Sequence, residues 1–340
     1  MFTRIRISLI VGALLVLFSS VIMANTLLDI PVGISPVMSS AAMFIAKERG
    51  YFKDQGLNVV INPFKASGAK MVPFLATGQL FVGGGNVNAG MYNAIANDIP
   101  IKIVADKGTV SPGHGYLALM VRNDHVEGGR YKDYADLKGM TMAVTAKGVS
   151  QQIATERYLN KVGLSLKDIR LVYLGYGDMN IAMANKSIDA TIQIEPLVAA
   201  AVEKNIAVRV AGADEIYPNQ QSAVIMYSPV FIEKHPSKAK KFMVAYVKGL
   251  RDYNDAFTKG KGKSEIIAIL TKYTRINEDS MYEKVVPVGL NPNGLVNIES
   301  LQHDANWYLQ KGFIKKLPEI NIIVDLSFVK YARSVLGEYK

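Results

Sequence analysis

The sequence predicts an α/β protein built as two lobes of one architecture, and three observations carry that expectation. In residues 136–196, three short apolar runs (141–144, 169–174 and 190–194) alternate with two amphipathic stretches (150–162 and 178–185). The runs are short, β-branched and bounded by Gly, Lys or Asp, as buried parallel strands are, and the stretches between them read as helices. The layout also recurs: residues 74–83 match residues 182–191 as a helix end, a turn and a strand. Finally, each strand runs into a polar or glycine-bearing loop, at 146–150, 175–178 and 193–196. In an open parallel sheet such loops share the carboxyl edge, where these folds bind ligands. A site between two facing edges follows.

The chain opens with Arg4 and Arg6, an apolar run at 9–18 and small residues up to Ala24. This is the pattern of a secretory signal peptide, with cleavage expected near Ala24. The apolar core is shorter than the roughly 20 residues a spanning helix needs. There is no cysteine, which excludes disulfides and lipidation at a mature N-terminal cysteine. A soluble periplasmic protein fits best. The remaining length suits two domains, and no other apolar run approaches membrane length. Net charge is +10, or 10 − 2 = +8 without Arg4 and Arg6, and the excess is spread apart from clusters at 238–241, 259–263 and 315–316. With no nucleic-acid motif beside them, these read as solvated helix ends and loops.

Residues 27–33 read as the first strand, 34–40 as a loop, 41–49 as a helix capped by Gly50 in the left-handed conformation, and 57–62 as a second strand. After a loop at 64–68 come a helix at 70–77 and a strand at 81–82 that ends in Gly83, Gly84 and Gly85. These glycines read either as a tight turn or as a close approach to a ligand, and no Walker lysine follows them. Asn86 is placed to cap a helix over 87–97. The apolar runs 116–122 and 222–227 would carry the chain out of the first lobe and back. The expected division is thus 1–24 signal peptide, 25–117 lobe one, 118–223 lobe two, and 224–340 returning to lobe one. Helices are expected at 236–259, 264–273, 296–311 and 326–336, with a loop at 287–294.

Several of these segments together resemble a known family. They are residues 41–57 (AAMFIAKERGYFKDQGL), 75–79 (LATGQ), 136–139 (DLKG), 187–190 (SIDA) and Glu195-Pro196. The set is similar to the nitrate/sulfonate/taurine type of periplasmic ABC-transporter solute-binding protein, a group that includes binders of thiamine pyrimidine precursors. The resemblance runs to about Phe257. It implies a type II-like periplasmic-binding-protein fold, each lobe a mixed, mostly parallel sheet flanked by helices, with two crossover strands as the hinge. It further implies a small-molecule ligand, no cofactor, and a permease and ATPase as partners, the binding protein itself acting as a monomer.

Loops at the carboxyl edges and the hinge supply the candidate contacts. On lobe one these are Ser35, Met38, Ser67, Gly68, Asn86 and Val87; near the first crossover, His114 and Tyr116; on lobe two, Ser150, Gln151, Tyr176, Met179 and Glu195. Ser150 reads equally as a helix N-cap or as part of a helix N-terminus holding an anion. Asp178 reads as a cap, and Tyr176, between two glycines, as a stacking surface for a ligand. His114 reads as a hinge residue or a contact. Glu195, carried over from the family's Glu-Pro position, either accepts hydrogen bonds from a ligand's N–H groups or bonds backbone amides within its own lobe; facing the ligand, it would disfavour a simple anion. An enzyme related to the fungal synthase of the thiamine pyrimidine shares the fold, but its cysteine-rich segment is missing here, and neither Gly-x-Ser-x-Gly nor a nucleophile with a placed base is found. A ligand sensor for a membrane receptor is a third reading. The expectation is a non-catalytic binder of a small organic molecule, anionic or aromatic.

Overall fold

A computed structural model describes residues 27–64, 68–274 and 276–340. The expected signal peptide and Ser67 lie outside these residues. The chain forms two five-stranded sheets with helices on their faces. In the first, β1 (Leu28–Ile34) lies parallel between β2 (Leu57–Pro63) and β3 (Val82–Asn86); β10 (Gln220–Tyr227) runs antiparallel between β3 and β4 (Lys102–Val110). In the second, β6 (Thr141–Val144) lies parallel between β7 (Arg170–Tyr173) and β8 (Ala190–Ile194); β5 (Leu117–Arg122) runs antiparallel between β8 and β9 (Ala207–Gly212). The repeat read from residues 74–83 and 182–191 is therefore a shared topology.

Helix α1 (Ala41–Glu48) follows β1 and is closed by Gly50 at φ 73°, as its position predicts. Of the crossovers, 116–122 and 222–227 prove to be strands within the sheets, and the segments between lobes are 111–116 and 213–219. Residues 220–223, expected in lobe two, pair in the first sheet. Helix α4 (Ala89–Ala96) is capped by Asn88, whose side chain accepts from Met91 N, so Asn86 is not its cap. Helix α7 (Tyr176–Ala184) starts two residues before Asp178, after Gly175, and Asp178 is not its cap.

Gly83, Gly84 and Gly85 form no turn. They are the middle of β3, and packing on both faces explains them. A Cβ on Gly85 would lie 2.4 Å from Gly68 Cα, while one on Gly84 would meet Ile34 at 2.9 Å and the Lys107 stem at 3.0 Å. Gly68 therefore serves backbone packing. The strand β7 is an edge rather than a buried strand, with Tyr173 exposed.

After β10 the C-terminal region returns to lobe one as expected helices. Helix α10 (Pro236–Lys259) packs along α1 and α14 (Ser327–Leu336), and α12 (Ile298–Gln310) on β10 and α4. The free edge of β4 is covered by this region: Thr109 N donates to Gly289 O, Asp106 N to Gly294 O and Asp325 N to Ile103 O. Buried Asp106 anchors it further, its carboxylate accepting from Gly108 N, Gln221 Nε2 and Asn291 N.

Candidate functional site

The carboxyl edges of the two sheets face each other and enclose a cavity lined by Ser35, Val37, Ser39, Asn86, Lys107, Tyr116, Tyr176, Ile194 and Ser222, among others. Its volume is about 10 Å³ of room for a water's centre, roughly one water molecule. A second small cavity shares Ser35, Val37 and Tyr176 with it and is lined further by Pro36, Phe64, Gly177 and Leu197.

Lys107 is the only charged residue among those lining the inner cavity. It sits on β4, 2 % exposed, and its Nζ donates to Ser39 Oγ at 2.8 Å. Gly84 makes room for its stem. Burial pulls its ammonium down to about 7, with Asp106 pulling the other way. An ammonium held in the interior by one hydroxyl is an unusual expense for a fold, because buried charges are normally paired. An incoming anion would supply the missing partner.

Around Lys107 the walls are neutral hydrogen-bonding groups. Asn86 Nδ2 reaches across the cleft to Tyr176 Oη at 3.1 Å. Tyr116 Oη bonds Ser222 Oγ, which in turn donates to Gly108 O at 3.0 Å, tying the start of lobe two to the returning strand. Burial drives the Tyr176 and Tyr116 hydroxyls above the ordinary tyrosine range, so they stay protonated.

Of the residues singled out from sequence, Ser35, Asn86, Tyr116 and Tyr176 line this cavity. Tyr176 is buried rather than left open by its glycine neighbours. The other candidates among the described residues do not line it. Met38 and Met179 are in the apolar core, where Met179 Sδ accepts from Thr191 Oγ1. Gln151 accepts from Thr145 N at 3.0 Å and donates to Ile192 O at 2.8 Å, bracing lobe two. Val87 and Ser150 touch across the lobes through backbone: Ser150 N donates to Val87 O at 3.0 Å and Ser150 Oγ to Ser222 O at 3.0 Å. Ser150 is thus the first helical residue after the cap Val149 and not the cap itself. His114 bonds Pro287 O through Nδ1 at 3.0 Å, in the linker and away from the cavity.

Glu195 is 1 % exposed but turned from the cavity. Its carboxylate accepts from Ala199 N at 3.1 Å and Val286 N at 3.2 Å, with Arg209 Nη1 3.6 Å away. Burial pushes its carboxyl up to about 7, against the pull of those amides and of Arg209. The carboxylate thus bonds backbone amides, as one alternative had it, but only Ala199 belongs to its own lobe; Val286 lies in the C-terminal region that returns to lobe one.

Lys107, Ser39 and Ser222 escaped the sequence reading. The one signal for Lys107 was an Asp-Lys pair inside the run KIVADKGTV. Among the described residues no group of three or more His, Cys, Asp or Glu is placed to hold a metal ion.

Two similar lobes enclosing a polar, cation-bearing cavity define a cleft-type ligand-binding architecture. The chain belongs to the NMT1/THI5-like family, whose model matches residues 38–255. Solved structures agree on the fold. The ligand-binding component of an ABC-type import system from Staphylococcus aureus, with zinc bound, has TM-score 0.75 at 13% identity, covering 90% of this chain and 99% of that one. The periplasmic nitrate-binding protein NrtA of Synechocystis PCC 6803 has TM-score 0.75 at 12% identity, covering 91% and 89%. The periplasmic aliphatic sulphonate-binding protein SsuA of Escherichia coli has TM-score 0.67 at 20% identity, covering 87% and 92%. No curated protein sequence matches the chain.

Proposed function

We propose that this protein is the solute-binding component of an ABC-type importer and that its ligand is a small organic molecule with one anionic group. The observation that carries the reading is Lys107, a buried cation with a single neutral partner in the interlobe cavity. The roles of the similar proteins, nitrate and sulphonate binding among them, support it. Because the cavity holds only about one water as the lobes stand, entry of any organic ligand requires them to part. Ligand then bridges Lys107, Ser39 and Asn86 on one side and Tyr176 on the other, and stabilises the closed form through contacts made only there.

The role is capture and delivery without catalysis, to a permease and ATPase at the membrane, by a monomer exported through the N-terminal segment. No helix among the described residues is long and apolar enough to cross a membrane, and the opening 24 residues have the pattern of an export signal. The test is thermal unfolding against matched pairs of acids and their neutral amides or alcohols, including nitrate, alkyl and aryl sulfonates and carboxylates. A ligand at a hundred times its Kd adds about 2.7 kcal/mol. Stabilisation by acids and not by their neutral partners is expected; a neutral or cationic hit would overturn the anionic assignment.

A further inference from the structure

Outside the cavity, the lobes meet where Val286 N and Lys284 reach Glu195 and Glu203 and along one face of helix α6 (Ser150–Asn160), where one acid has both of its partners on the opposite lobe. Glu156 is 7 % exposed, and its carboxylate accepts from Trp307 Nε1 at 2.5 Å and from Lys311 Nζ. Both donors belong to the α12 region. That helix is fixed to lobe one: Tyr92 Oη donates to Leu301 O at 2.9 Å, Gln221 N to Ser300 Oγ at 2.8 Å and Tyr308 Oη to Val87 O at 3.1 Å. Both hydrogen-bond partners of the Glu156 carboxylate therefore lie on the opposite lobe.

The surroundings make the contact a single unit. Three residues before Glu156, Ile153 packs in the same apolar cluster as Leu301, Ala305 and Tyr308 of α12. On its other side Arg157 lies 3.6 Å over the Tyr217 ring, and Tyr217 Oη donates to Asp304 Oδ1 at 2.9 Å. Lys147, just ahead of α6, lies over Phe313, 5.6 Å from the ring centre. At the start of α6, Ala89 N donates to Gly148 O at 2.8 Å. None of these groups lines the ligand cavity.

We infer that Glu156, Trp307 and Lys311 form a clasp that sets how often the lobes are closed, independently of the ligand. A buried carboxylate is stable only while its donors are in place, and a charge-assisted pair with short contacts is among the stronger polar interactions. Parting the lobes breaks both bonds at once and returns Glu156 to water. The clasp thus biases the lobes towards closure, and ligand affinity scales with the closed fraction. Glu156 is a positioning residue: it acts on the ligand only through the relative placement of the lobes. The inference rests on the reading that the lobes open and close, but needs no knowledge of the ligand.

Trp307 is the only tryptophan in the sequence, so its fluorescence reports on the clasp alone. The experiment compares wild type with Glu156→Ala and Lys311→Met, without added ligand, by acrylamide quenching of Trp307 and by the radius of gyration from small-angle X-ray scattering. Lys311 is a surface residue, so its variant keeps the test informative if Glu156→Ala folds poorly. Loss of one charge-assisted bond should lower the closed-to-open ratio at least about tenfold. Greater quenching together with a larger radius in both variants is the expected result, with Lys311→Met the milder. A charge-exchanged double variant, Glu156→Lys with Lys311→Glu, should regain compactness relative to Glu156→Lys alone. Unchanged radii in all variants would overturn the clasp, as would increased quenching without expansion, which would reduce the contact to local packing around the indole. Neither result would touch the anionic assignment of the cavity, which the thermal-shift pairs decide separately.

Discussion

Strand for strand, the first sheet (β2-β1-β3-β10-β4) is repeated by the second (β7-β6-β8-β5-β9), and in each the antiparallel strand starts directly after a linker. Their chemistry is not repeated. In lobe two the inner strand β8 spends its polar side chains internally: Thr191 Oγ1 donates to Ala143 O, and Gln193 Nε2 to Tyr176 O and Asn180 Oδ1. In lobe one the equivalent strand β3 carries three glycines, and the space at Gly84 is taken by the Lys107 stem. Glu195 of lobe two and Lys107 of lobe one, both buried near the junction, have opposite fates. Glu195 is held by two amides, whereas Lys107 has one hydroxyl. Duplicated topology supplies the cleft; non-equivalent positions supply what the cleft recognises.

Removing the group that makes lobe one different should have the largest effect. Lys107→Met should weaken binding of an anionic ligand by about 2–5 kcal/mol, the cost of truncating one member of a buried hydrogen-bonded charge pair, as calorimetric titration would show. The same change separates stability from binding through pH. An unfolded lysine keeps its proton to about pH 10.4, whereas Lys107 gives it up near 7. Between those values the unfolded chain binds the extra proton, so wild-type stability rises with pH from about 7 to 10 by this group, and the full burial penalty stands below 7. The stability of Lys107→Met relative to wild type should therefore be greatest below pH 7 and shrink towards pH 10. A difference that is flat with pH would mean that Lys107 is not buried.

A second difference lies in the glycines of β3. Gly85→Ala would force a Cβ to 2.4 Å from Gly68 Cα, a backbone atom that cannot rotate away. We expect a loss of about 1–3 kcal/mol by denaturant unfolding, in the range of overpacked sites. β8 has no glycine, so lobe two lacks this sensitivity. Unchanged stability would show that the loop around Gly68 gives way.

How much of this was legible follows the physics of each signal. Composition and period marked the strands of lobe two well: 141–144 and 190–194 coincide with β6 and β8. Strands made of glycine carry no such mark. The reason for Gly83, Gly84 and Gly85 lies in what packs on them; of the turn and the close approach to a ligand that a local reading left open, the turn does not form, and Gly85 lies in the lining of the interlobe cavity. Lys107 was hidden for a related cause. A lysine in a strand reads as solvated, and here the β4 edge is covered by residues 289–294 and 325, nearly two hundred positions away in the chain. Glu195 was placed at the junction of the lobes by resemblance alone, while the direction of its carboxylate depended on the amides of Ala199 and Val286.

The smallest expected effect is the one that tests the contrast between the two buried ionisable groups most directly. Glu195→Gln removes the charge and leaves one acceptor oxygen where the amides of Ala199 and Val286 now use two; neither amide belongs to the cavity, so ligand affinity should stay within about threefold of wild type, under 1 kcal/mol. Stability should respond instead. A carboxyl raised to about 7 contributes stability that is fully present below its unfolded value near 4.3 and is lost as pH rises through 7. The stability of the variant relative to wild type should therefore be greatest above pH 7 and fall towards acid, followed by thermal unfolding across the range. A tenfold loss of binding, about 1.4 kcal/mol, would mean that Glu195 faces the ligand once the lobes part. The cavity would then present an acid beside Lys107, and a ligand carrying a donor as well as an anion would replace the simple anion as its occupant.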